Sequence, residues 1–116
     1  MSAKPSECYA IDPHADCLRV EISATRSLLL PFDQFTYAEL NSGDKEQQLR
    51  LVFATHEVLI SGHALRRIEG AMQRMELALI TKLPDRYHSL VGEGQPKIRE
   101  IVIAEAQSAA FMPQAS

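Results

Sequence analysis

Tryptophan is absent, and only three tyrosines and four phenylalanines stand among the 116 residues. A surface that stacks nucleobases on aromatic rings has little to be built from. Cysteine is almost as scarce, with Cys8 and Cys17 alone. A single bridge between them is sterically open, but secreted disulfide scaffolds carry more cysteines in shorter chains. No apolar run approaches the roughly 20 residues of a membrane-spanning helix. Met1 to Ala15 contains Lys4, Glu7 and Asp12 and lacks the apolar stretch of an export signal. These absences point to reduced thiols, a cytoplasmic location and no membrane partner. A strong charge of either sign is also missing: 12 Lys and Arg against 15 Asp and Glu leave a formal charge of −3. That balance provides no global attraction to nucleic acid or anionic lipid, so nucleic acid is disfavoured as a partner.

What is present is ordinary for a globular chain. Hydrophobic residues make up 46% and charged residues 23%, which excludes wholesale disorder. The length suits one domain. Residues 1–15 are polar, contain Pro5 and Pro13, and show no periodicity, so they read as a flexible N-terminal arm. Residues 16–104 read as the single domain and 105–116 as a C-terminal tail. No internal repeat occurs, and no motif places the chain in a known family.

In Cys17 to Ser23 the apolar residues Leu18, Val20 and Ile22 alternate with Arg19, Glu21 and Ser23, the mark of a half-buried strand. Leu28 to Leu30 is a short apolar run that Pro31 interrupts. Phe35 to Leu40 reads as strand, and Asn41 to Lys45 as a turn. Leu49 to Phe53 and Val58 to Ile60 read as two further strands joined near His56. From Ala64 to Leu83 the apolar residues Leu65, Ile68, Met72, Met75, Leu79 and Leu83 step by three or four, which predicts one long amphipathic helix. Pro84 would end it. Residues 98–104 fit a final strand, although Ile98, Ile101 and Val102 also suit a helix. The expected fold class is α+β: an antiparallel meander of four to five strands, a bent sheet or half-barrel, packed by the long helix.

Chemistry-bearing patterns are few. Cys8, His14 and Cys17 offer three metal-ligand types, but their spacing matches no structural zinc site and coincidence is the better reading. The four histidines (His14, His56, His63 and His88) include no pair at helical metal-ligand spacing. His56 beside Glu57 reads as a solvated turn residue rather than a general base. No nucleophile elbow occurs, neither thiol has a local activating cation, and Gly92-Glu93-Gly94 lacks the helix start of a phosphate loop. No catalytic, cofactor-binding or metal residue is assigned, and no cofactor is expected.

The one surface singled out is Arg66, Arg67 and Arg74, on the outer side of the expected helix. Leu77 projects close to them as a candidate partner anchor. Guanidinium forks suit phosphate, but an exposed charged face is the ordinary outer surface of such a helix. The favoured function is therefore a non-enzymatic, self-associating interaction or scaffold module. The alternative is a weak nucleic-acid or anionic-ligand binder using the arginines; a small enzyme with an interface active site at His56 or His63 has least support. The expected partner is a second copy, as a homodimer or higher homo-oligomer, with another protein partner as a further option. Leu51-Val52-Phe53, Val58-Leu59-Ile60 and Ile101-Val102-Ile103 put apolar side chains on both faces of the sheet, and one helix covers only one face. The competing cover is the chain's own ends, through Tyr9, Ile11, Phe111 and Met112.

Overall fold

The computed structural model describes residues 8–82 and 94–105. Alternating side chains build most of it. In chain order the elements are β1 (Tyr9–Ile11), β2 (Cys17–Ser23), β3 (Arg26–Pro31), a 3-10 turn (Phe32–Gln34), β4 (Phe35–Ser42), β5 (Gln47–Phe53), β6 (His56–His63), α1 (Arg66–Gln73), β7 (Leu77–Thr81) and β8 (Lys97–Glu105). The strands form two four-stranded sheets. The first has the order β1-β7-β2-β3, and the second β4-β5-β6-β8. Leu18, Val20 and Leu30 from the first sheet share one buried cluster with Leu49, Leu51, Phe53, Val58 and Ile60 from the second. Leu65, Ile68, Ala71 and Met72 add the inner side of α1 to the same cluster. One apolar core therefore holds both sheets and the helix, as burial of each element's apolar side requires.

The α+β expectation of a single meander packed by a long helix is corrected. Strands hold 61% of the described residues and helical turns 13%, so these residues are mostly β, with two sheets and one short helix among them. The predicted helix from Ala64 to Leu83 stops after Gln73. Its stop is a paired-bond C-terminal cap: the Glu76 N–H donates to Ala71 O at 2.9 Å and the Met75 N–H to Met72 O at 2.9 Å. Met75 takes the left-handed conformation that this cap needs, at φ 57°. The chain then re-enters the first sheet as β7, antiparallel to β1 and parallel to β2. Pairing on both sides satisfies the backbone of Leu77–Thr81, and that tertiary gain outweighs the helical spacing of the same side chains. The long basic helix face is lost with it.

Part of the segment read as an arm also belongs to the sheet. Cys8 is fully buried, and its carbonyl accepts from the Thr81 N–H at 2.9 Å. Tyr9 pairs with Ile80, and the Asp12 N–H donates to Glu76 O at 2.8 Å. The strand-or-helix ambiguity over 98–104 resolves as strand, because Glu100 to Glu105 pair in unbroken antiparallel register with Ser61 to His56. The tail beyond Glu105, including Phe111 and Met112, lies outside the described residues.

Candidate interaction surface

Strand register places the outward side chains of the second sheet in rows. Glu39 on β4 lies beside Arg50 on β5, Arg50 beside Leu59 on β6, and Leu59 beside Val102 on β8. The neighbouring row runs Tyr37, Val52, Glu57, Ala104. Inward neighbours such as Leu49, Leu51, Val58 and Ile60 are fully buried, whereas Tyr37 is 46% and Val102 45% exposed. The outer face thus carries a charged group, Glu39, Arg50 and Glu57, and an apolar pair, Leu59 and Val102, towards β8.

The charged group is organised around Arg50. Its Nε and Nη2 donate to the two carboxylate oxygens of Glu57 at 3.1 Å each, and Nη1 lies 3.6 Å from Glu39. The fork geometry matches a carboxylate, and the bond to Glu57 is the main reason Arg50 is held more firmly protonated than usual. At the other end of the sheet Arg99 grips Glu46 through two bonds of 2.9 and 2.8 Å. That contact ties the β4–β5 turn to β8. It holds the Glu46 carboxyl below the usual glutamate range, opposed by partial desolvation and helped by the charges of Arg99 and His63.

The arginines singled out from sequence do not form one surface with Leu77. Arg66 and Arg67 are exposed on α1, and Arg67 donates to Gln95 Oε1 at 3.2 Å. Arg74 caps the helix end and pairs with Glu76 at 3.1 Å. Leu77 is fully buried on β7, so its reading as an exposed anchor is corrected: the phase that set it beside the arginines belonged to a helix that ends before it.

The histidines and cysteines stay apart. His56 and His63 stand at opposite ends of β6, with Glu105 and Lys97 as their neighbours on β8. His56 Nδ1 lies 2.9 Å from Thr55 Oγ1, and the backbone N–H of His14 donates to Asp12 at 2.9 Å. Cys8 is buried with its thiol 3.4 Å from the Pro96 carbonyl, while Cys17 is half-buried on β2. Among the described residues no three His, Cys, Asp or Glu side chains converge to hold a metal ion. His88 lies outside the described residues. A hollow of about 290 Å³ at the β4–β5 turn, lined by Asn41 to Glu46 and Gln48, is bounded by the turn itself.

Sequence reasoning found the apolar outward residues Val52, Leu59 and Val102 one strand at a time. It missed that register sets Leu59 and Val102 side by side, and it missed the Glu39–Arg50–Glu57 group. The alternation of Arg50 with Leu49 and Leu51 was the available signal for an outward arginine.

The described residues define a mostly-β fold of two sheets and one short helix. Comparison with protein-family models, with curated proteins and with solved structures finds no match. Among the described residues no helix is long and apolar enough to cross a membrane.

Proposed function

We propose that this protein is a non-enzymatic, self-associating interaction module, and that copies meet at the β8 side of the second sheet. The observation that carries the reading is the pairing of Leu59 with Val102, an apolar spot at the open side of a sheet whose other face is already core. The first sheet supports such a role less well. Its outward Leu29 and Leu79 are separated by Arg19, which lies between them in register and donates to Ser27 at 3.1 Å. Contact between copies removes apolar surface from water without any new element.

The anion-binding alternative is weaker, because Arg74 is engaged by Glu76 and Arg67 by Gln95, leaving a short basic strip on an acidic protein. We place the module in the cytoplasm, where Cys8 and Cys17 persist as thiols. Light scattering coupled to size exclusion tests self-association on the full chain. The expected mass is a multiple of 12.9 kDa at high micromolar concentration, unchanged by Arg66→Glu with Arg67→Glu. A mass of 12.9 kDa under those conditions overturns the proposal.

A further inference from the structure

We infer that β8 is the seam between two copies: it pairs antiparallel with its own symmetry mate, centred on Val102, and joins two second sheets into one of eight strands. This rests on the self-association proposed above and adds the place and the register.

Among the described residues four strands stand at sheet edges, and three of them are blunted. β1 has three residues. β3 ends in Pro31 and begins with Arg26. β4 carries an irregularity between Phe35 and Tyr37, and α1 packs against it. Short length, proline and irregular register are devices that protect an edge from a second chain. β8 has nine residues, and among the described residues it pairs with β6 alone. Its irregularity is confined to the Ser61/Gly62 end, and the run from Glu100 to Glu105 is regular.

The side chains of that run are unfinished in a matching way. Ile60 and Val58 are fully buried, yet their ladder partners Ile101 and Ile103 are only half-buried. Outward, Val102 is 45% exposed. A further strand beside β8 would complete both layers at once.

Pattern then selects the register. A slip of one residue would turn core-facing side chains of one copy to the solvent face of the other. A slip of two sets Arg99 against the partner's Ile103 in one direction, and Glu105 against the partner's Ile101 in the other. With the axis on Val102, Ile101 meets the partner's Ile103 on the inner layer, and Val102 meets the partner's Val102 on the outer layer. Glu100 comes to lie beside the partner's Ala104 at each end, so no like charges are opposed. The strand is basic at its start and acidic at its finish, so only the antiparallel arrangement is self-complementary. In the joined sheet the row Leu59, Val102 continues directly into the partner's Val102 and Leu59.

Cysteine cross-linking of the full chain tests the seam. In an antiparallel ladder, opposed Cα atoms lie about 4.5–5.5 Å apart, within the reach of a disulfide. Val102→Cys is expected to oxidise in dilute solution to a species of twice 12.9 kDa much faster than either wild type or Leu59→Cys. Val102→Lys sets two ammonium groups together at the axis. It is expected to run as a folded 12.9 kDa species, with the wild type's circular dichroism and a melting temperature that no longer depends on concentration. A dimeric wild type in which Leu59→Cys cross-links as fast as or faster than Val102→Cys, or in which Val102→Lys stays dimeric, overturns the seam and leaves self-association standing. A monomeric wild type overturns both.

Discussion

In the second sheet β4, β5 and β6 lie side by side in chain order, and the turn at Ser42 to Gln47 and the link at Phe53 to His56 join them. In the first sheet only β2 and β3 are such neighbours. Its middle is filled by β7, which arrives after the helix and lies parallel to β2, with β1 beyond it. The two sheets share one core, but they are built differently: β4, β5 and β6 pair locally, whereas the first sheet brings β1 from the start of the described chain beside β7, which follows the helix. Local pairing requires little loop closure, whereas β7 must be delivered across the molecule by α1 and the cap at its end. The contrast places the first sheet's integrity in one five-residue strand.

The strongest test of that contrast is Leu77→Asp. Leu77 is fully buried on β7, and a carboxylate there has no partner. A loss of about 4 kcal/mol or more is expected by urea denaturation, at the severe end for single substitutions. Arg67→Ala, on the exposed side of α1, should stay within about 0.5 kcal/mol. Similar midpoints for the two variants would mean that β7 is not a core strand.

The matching test in the second sheet is Gly62→Ala. A Cβ at this position would lie 1.9 Å from the Lys97 carbonyl oxygen, where β6 and β8 come together at the irregularity. Backbone rather than a flexible side chain is in the way, so the strands must separate locally. A loss of about 2–3 kcal/mol is expected from overpacking of this kind. Hydrogen exchange should rise first in β8. An unperturbed midpoint would show that the approach of the two strands is loose.

The difference between the sheets also explains what could be read from residues alone. β2, β5 and β6 are visible because Leu18/Val20, Leu49/Leu51/Phe53 and Val58/Ile60 repeat every second residue within the strand itself. β1 has three residues, too few for any period, and its partner is remote. β7 was hidden because Met75, Leu79 and Leu83 continue a three-four spacing begun by Leu65, Ile68 and Met72. The break between helix and strand lies at Met75, where positive φ is carried by a residue type that gives no turn signal. For the candidate surface, the apolar residues were legible but their neighbours were not. Which residue lies beside Val102 is a matter of register, and register is decided by pairing rather than by composition.

A smaller effect separates electrostatic from apolar closure in the second sheet. Arg99 holds the Glu46 carboxyl below its usual range in the folded chain. A carboxyl depressed on folding stabilises above its unfolded titration and loses that contribution as pH falls through the folded value. Glu46→Gln should therefore lower the urea midpoint slightly at neutral pH. The gap from wild type should close on acidification below the ordinary glutamate range. A gap independent of pH would assign the effect to packing of the β4–β5 turn against β8 and not to the ion pair.

The smallest expected effect tests the hinge between the two sheets by its sign. Met75 sits at φ 57° between α1 and β7 and is 38% exposed. A side chain in the left-handed region costs about 1–2 kcal/mol relative to the right-handed one. Glycine avoids that cost but loses about 0.5–1 kcal/mol more in chain freedom on folding. Met75→Gly should therefore stabilise by about 0.5 kcal/mol, less whatever apolar contact the half-covered methionine makes. Were residues 64 to 83 one continuous helix, the same substitution would fall in its interior and destabilise by about 1 kcal/mol. The two arrangements predict opposite directions from one variant, so a modest rise in melting temperature supports the cap and the strand beyond it. A fall of several degrees would return Met75 to a helix, and with it Leu77 to the surface.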